Sequence, residues 1–137
     1  MDLSDFKKYK RKGRSYIPKV CIRKNGQIAF NAAAVQKYDL DIFEGVILYV
    51  SKDKKRVAIQ FSNNKKDPAL ISIQKRLGNF AFSAVNFLGI NDIPWKKTTN
   101  FDFIWDDKDK IAIFRPLDSD KIDIVKNKES YKTLTVP

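Results

Sequence analysis

The sequence of 137 residues contains no histidine, one cysteine and two glutamates, Glu44 and Glu129. Without histidine, the chain lacks the commonest general base, the serine–histidine and cysteine–histidine nucleophile systems, and most zinc sites. The single cysteine, Cys21, excludes an internal disulfide and fits a reducing cytoplasm, which is the location we expect. An enzyme is therefore the least supported class of protein, and we expect no metal or cofactor.

Long apolar runs are also missing. No uncharged apolar stretch approaches the roughly 20 residues that a membrane span needs, and the N-terminus has no apolar segment typical of a secretory signal. The five glycines are scattered singly, so a glycine-rich phosphate loop is absent. Hydrophobic residues at 43% and charged residues at 31% exclude wholesale disorder. We expect a folded body that does not enter a membrane.

Positive charge is abundant and unevenly placed. The formal net charge is +11, and residues 1–24 hold nine basic and two acidic side chains. We interpret residues 1–17 as a basic arm, whose charges are Lys7, Lys8, Lys10, Arg11, Lys12 and Arg14. Such an arm can bind nucleic-acid phosphates by releasing counterions. A solvated tail and a contact with an anionic membrane surface are the alternatives.

The chain also contains an internal repeat. Gly26-Gln-Ile-Ala-Phe-Asn-Ala aligns with Gly78-Asn-Phe-Ala-Phe-Ser-Ala. Val20–Lys24 aligns with Ile71–Lys75 before this block, and after it Lys55–Ile59 aligns with Asp109–Ile113. Three matching blocks in the same order indicate a duplication, and a chance similarity of two supersecondary units is the alternative.

Each repeat is predicted to contain two strands, a short helix and a second pair of strands. In the first repeat, Asn25-Gly26 predicts a type I′ hairpin turn, and Asn31 predicts the N-cap of the helix. In the second repeat, Ser83 is the predicted N-cap and Gly89 is predicted to follow the last helical residue. Phe101–Trp105 is predicted to be one strand of the closing hairpin.

The predicted fold is α+β and mostly β, with two tandem β-β-α-β-β repeats packed about a pseudo-twofold axis. One repeat of about 45 residues cannot bury its apolar face alone, which is why we expect the two to pack on each other. Phe30 and Phe82, at matched positions, are both predicted to be buried. The proposed division is an arm at 1–17, one duplicated domain at 18–116 (repeat one 18–61, linker 62–68, repeat two 69–116) and a polar C-terminal segment at 117–137.

Arg23-Lys-Asn-Gly-Gln-Ile-Ala-Phe-Asn and Tyr38-Asp-Leu-Asp-Ile-Phe-Glu-Gly-Val resemble the "G-x-I-x-x-P … L-G-x-x-x-G-D" run of the AbrB/MazE/SpoVT swapped-hairpin group. Two such units in one chain are similar to MraZ. The resemblance covers residues 18–116 and implies a DNA-binding transcription regulator. The basic first-hairpin position of that group is matched by Arg23, Lys24, Lys75 and Arg76. The chain is also similar to bacterial proteins with a G-x-I-x-F-N-x-A-A block, which implies no activity.

Two further features carry possible chemistry. Trp95, beside two lysines in the segment 94–100, could stack on a base or could cover the edge of the core. Four aspartates in the segment 102–109 suggest a cation site, but the interleaved lysines favour a solvated hairpin.

The leading hypothesis is a small non-enzymatic nucleic-acid-binding protein that uses the arm and the four hairpin residues on phosphates. The alternative is a protein-interaction or assembly module, and a homodimer is open in either case. One contiguous basic face would favour nucleic acid, whereas dispersed charge would not.

Overall fold

The structure, a computed structural model, describes residues 2–7, 17–76 and 78–117. Within these residues the nine strands are β1 (Val20–Ile22), β2 (Gln27–Phe30), β3 (Gly45–Val50), β4 (Val57–Ser62), β5 (Ile71–Ser72), β6 (Ala81–Ser83), β7 (Thr99–Phe101), β8 (Ile104–Asp106) and β9 (Ile111–Phe114). The helices are α1 (Ala32–Tyr38) and α2 (Val85–Ile90), and a 3₁₀ turn at Leu40–Ile42 follows α1. The predicted α+β class, mostly β, is confirmed. In this part of the chain, neither helix is long and apolar enough to cross a membrane.

The strands form two antiparallel sheets with the orders β6-β2-β1-β7 and β5-β3-β4-β9-β8. The sheets meet at two corners. At one corner, Gln74 and Ala81 exchange backbone hydrogen bonds of 2.7 and 3.1 Å, which joins the chain after β5 to β6. At the other, only Asp102 and Phe103 separate β7 in the first sheet from β8 in the second. The strands therefore follow one another round a ring, in the order β1-β2-β6-β5-β3-β4-β9, then β8 with β7, and back to β1.

The hydrophobic core fills the inside of this ring. Alternate residues of β4 are buried, because successive side chains of a strand point to opposite faces. The rings of Phe30, Phe61 and Phe80 contact one another with centroids 5.4 to 6.3 Å apart. Phe30 is 4% exposed and Phe82 is fully buried, so the prediction that both are buried is confirmed.

The first repeat matches its predicted elements closely. The Asn31 side chain accepts a hydrogen bond of 3.0 Å from the Ala34 N–H and caps α1, as predicted. The hairpin β1–β2 is also present, but the predicted turn type is wrong. Gly26 has φ of +85°, whereas Asn25 is not among the residues with positive φ, which a type I′ turn would require. The Gly26 N–H instead donates to the Arg23 carbonyl, which closes a three-residue loop with glycine in the left-handed position.

The second repeat departs from its prediction at three places. Ser83 is the last residue of β6, and α2 starts after Ala84 with no side-chain cap, so the predicted N-cap is wrong. The helix continues through Gly89 to Ile90, because Asn91 takes the C-cap position and its N–H bonds to carbonyls of the last turn. The predicted strand Phe101–Trp105 is divided into β7 and β8, which belong to different sheets.

Candidate nucleic-acid interface

The tip of the first hairpin presents an exposed lysine beside two others. Lys24 lies in the three-residue loop between β1 and β2, and its backbone N–H donates to the hydroxyl of Thr98 at 3.2 Å. This contact places the tip against the segment that enters β7, in which Lys96 and Lys97 are also exposed. The segments 23–27 and 95–98 contain no acidic residue. Three ammonium groups thus share one region of the surface without a carboxylate in either segment.

Arg23 is half-buried and is already bonded within the folded body. Its guanidinium donates to the side-chain oxygen of Gln27 at 3.1 Å and to that of Asn79 at 2.8 Å. Arg23 therefore links the first hairpin to the chain that enters β6, and its contact with phosphates stays a prediction.

Lys75 and Arg76 lie at the tip of the second hairpin, far from Lys24. The first tip precedes β2 and the second precedes β6, and these two strands are antiparallel. Antiparallel strands begin at opposite ends of the pair, so the two tips lie roughly 15–20 Å apart along the strands. The four predicted hairpin residues are not brought together at one place.

The second tip is also partly engaged with the body. The Lys75 ammonium donates to the Asp41 carbonyl at 2.7 Å, and Arg76 is exposed. Beside this tip is a cleft of about 220 Å³, which Phe30, Val35, Gly78 and Phe80 line with Lys75 and other residues of α1 and the hairpin. Gly78 has φ of +74°, and a side-chain carbon added to it would meet nothing within 4 Å.

Trp95 packs against the core. It is half-buried, and its ring lies 3.7 Å from where a side-chain carbon of Gly89 in α2 would stand. This position favours the interpretation that Trp95 covers the edge of the core. Its stacking on a base stays a prediction.

The basic arm is mostly outside the described residues. Lys7 is described and exposed. The predicted contacts of Lys8, Lys10, Arg11, Lys12 and Arg14 lie outside the described residues, as does the C-terminal segment after Leu117.

Sequence reasoning missed a fourth basic segment, the turn between β3 and β4. Residues 51–56 contain Lys52, Lys54, Lys55 and Arg56, all exposed, with Asp53 as their acidic residue. The run of charges was visible in the sequence as a turn between two strands. What the sequence did not show is where this turn lies relative to the first hairpin.

Side-chain hydrogen bonds hold the turn 51–56 in one conformation. The Asp53 carboxylate accepts from the Ser51 hydroxyl at 2.6 Å and from the Lys55 N–H at 3.0 Å. The Arg56 N–H donates to the Ser51 hydroxyl oxygen at 3.0 Å. The hydrogen bond from Ser51, followed by that from Lys55, lowers the pKa of Asp53 from its ordinary value. The basic side chains therefore project from a structured backbone.

The acidic side chains and the cysteine of the described residues form no metal centre. No group of three or more potential ligands among the cysteine and acidic side chains there could hold a metal ion. In the segment 102–109, Asp102 pairs with Lys19 and Asp107 pairs with Lys110, which fits a solvated hairpin. Cys21 is half-buried, and burial raises the pKa of its thiol, so the nucleophilic thiolate is disfavoured.

The chain was compared with protein-family models, curated proteins and solved structures, and it matches none of them.

Proposed function

We propose that this protein is a non-enzymatic nucleic-acid-binding protein of the transcription-regulator kind. The observation that carries the proposal is the convergence of Lys24, Lys96 and Lys97 through the contact between Lys24 and Thr98. Phosphates attract clustered, exposed ammonium groups because each contact releases condensed counterions. The arm, with its six further charges, precedes β1 in the sequence and would add contacts to the same polyanion.

The scaffold that presents these residues is proposed to be a duplicated one, and the strand register supports this. Ala29 and Ala81 are matched by the alignment of the repeats, and they lie directly opposite each other in the pair β2–β6. A twofold axis that passes between two strands pairs each residue near it with its own equivalent. If the two repeats were exchanged, the register of β2 and β6 would therefore stay the same.

A second pair of strands obeys the same exchange. The alignment matches Val57 with Ile111 and Gln60 with Phe114, while the pair β4–β9 places Val57 opposite Phe114 and Gln60 opposite Ile111. Exchange of the repeats converts each of these two pairings into the other. Pairs of strands from the two repeats also alternate round the ring, β1-β2, then β6-β5, then β3-β4, then β9 with β8 and β7, which is in keeping with the proposed relationship to swapped-hairpin regulators.

A specific observation favours the alternative, a protein-interaction module. On α2, Ile90 is 75% exposed and Val85 is 41% exposed. Large apolar side chains that remain accessible on a helix can form part of a protein interface. We prefer nucleic-acid binding because it explains the excess of positive charge, whereas an apolar protein interface at α2 does not.

The test is a titration of the intact chain with a fluorescently labelled duplex of about 20 base pairs, followed by anisotropy between about 50 and about 200 mM salt. The expected result is binding whose log K falls linearly with log salt, by about 0.9 per phosphate contacted. Absence of binding at the lowest salt, on duplex and on single strand alike, would refute the proposed function.

A further inference from the structure

Two basic turns lie at the same end of the strand ring. Neighbouring strands are antiparallel all the way round, so alternate strands run in the same direction. By this alternation β1 and β3 run in the same direction. The turns that follow them, 23–27 and 51–56, therefore lie at the same end.

Two further basic segments lie at this end. β7 runs opposite to β1, so Lys96 and Lys97 precede it at the end that the first tip occupies. β9 runs opposite to β4, so Arg115 follows it beside the turn 51–56. We call the segments 23–27, 51–56, 95–98 and 115 together the basic end. Its exposed basic residues are Lys24, Lys52, Lys54, Lys55, Arg56, Lys96 and Lys97.

Negative charge is almost absent from the basic end. Asp53 is the acidic residue in these segments, and its carboxylate is occupied by the turn hydrogen bonds. The next acidic residues along the chain are Asp92, three residues before Trp95, and Asp118, three residues after Arg115.

The opposite end of the ring is mixed in charge. Lys110 is paired with Asp107 there, and the exposed residues Asp41 and Glu44 lie in the segment that enters β3. Charge is therefore segregated along the strand direction, with a single-sign field at one end only.

The spacing at the basic end suits a double helix. From the first hairpin, the ring passes β7 and β9 before it reaches the turn 51–56, which is about three strand spacings, or 14 Å measured perpendicular to the strands. The major groove of duplex DNA is about 12 Å wide, so two basic clusters at this separation can reach phosphates on both sides of it. Single-strand binders instead need accessible aromatic rings for stacking, and Trp95 lies against Gly89.

We propose that a nucleic-acid duplex binds across the basic end, with Lys24, Lys96 and Lys97 on one side of a groove and the turn 51–56 on the other. This inference rests on the proposed function and specifies its surface. It adds the turn 51–56, and it places Lys75 and Arg76 outside the contact.

The test compares two double variants by the same anisotropy titration. Lys52→Ala with Lys55→Ala removes two charges from the basic end. Lys65→Ala with Lys66→Ala is the matched control, because these exposed lysines follow β4, which runs away from the basic end. The basic-end variant should flatten the salt slope by about 1.8 and weaken duplex binding at about 100 mM salt by roughly tenfold or more. The control should retain the slope and affinity of the intact chain, and thermal melting should show both variants folded.

Three outcomes separate the two proposals. If the intact chain binds duplex and the two variants lose affinity equally or not at all, the basic end is not the contact surface, while nucleic-acid binding stands. If the intact chain binds a single strand of the same length at least as tightly as the duplex, the groove-spanning contact is refuted. If it binds neither, the proposed function fails, and this inference fails with it.

Discussion

Gly26 and Gly78 occupy matched positions in the two proposed repeats, and substitution of each by alanine provides a sharp test of the structure. Both glycines have positive φ, +85° and +74°. Their surroundings differ completely. A side-chain carbon on Gly26 would stand 2.2 Å from a methyl carbon of Val85 and 3.3 Å from its Cβ, whereas one on Gly78 would meet nothing within 4 Å.

The expected costs follow from these two environments. Alanine in the left-handed region costs about 1–2 kcal/mol at either position. Gly26→Ala adds a clash that Val85 must relieve by moving, and such overpacking costs a further 1–3 kcal/mol or so. The gain from a less flexible unfolded chain is the same for both variants and cancels in their difference. Gly26→Ala should therefore be less stable than Gly78→Ala by about 1–3 kcal/mol.

The measurement is the free energy of unfolding from urea denaturation of the two variants and the parent chain. A third variant, Gly26→Ala with Val85→Ala, isolates the clash. Removal of the Val85 methyl groups should recover most of the difference, which appears as a coupling energy in a double-mutant cycle. Equal stabilities for Gly26→Ala and Gly78→Ala, with no coupling to Val85, would show that Val85 of α2 does not pack against Gly26.

Four other outcomes are expected. Phe82→Ala should cost about 3–5 kcal/mol in urea denaturation, because the ring is fully buried; a loss below about 1 kcal/mol would contradict the register of β6. Asn31→Ala should cost about 1–2 kcal/mol because it removes a helix cap, whereas Ser83→Ala, which caps nothing, should cost under about 0.5 kcal/mol. NMR titration should give Asp53 a pKa below the ordinary aspartate value, so its contribution to stability is present above that value and lost as pH falls through the lowered pKa; an ordinary pKa would mean that the turn bonds do not form. Deletion of residues 1–15 should flatten the salt slope on duplex by several units if the arm supplies most phosphate contacts, and should leave the melting temperature nearly unchanged.

Local chemistry explains why parts of the fold and site were predictable. Asn31 identified the start of α1, because a helix cap depends on residues close in the chain. The exposed lysines of the candidate site could also be listed from the sequence, since charged turns between strands lie at the surface. The same reasoning failed at Ser83, because its backbone pairs with Gln27, a residue more than 50 positions away.

What the sequence alone determined was the class of fold, the residues that enter the core and the excess of positive charge. The tertiary structure decided which turns share an end of the molecule. Periodicity specifies the face of a strand on which a side chain lies, but it carries no information about the neighbouring strand or its direction. Lys24 and the turn 51–56 lie at one end only because β1 and β3 run in the same direction round the ring. For the same reason, Lys75 and Arg76, which the sequence matched to the same hairpin position as Arg23 and Lys24, lie at the opposite end, because β2 and β6 are antiparallel.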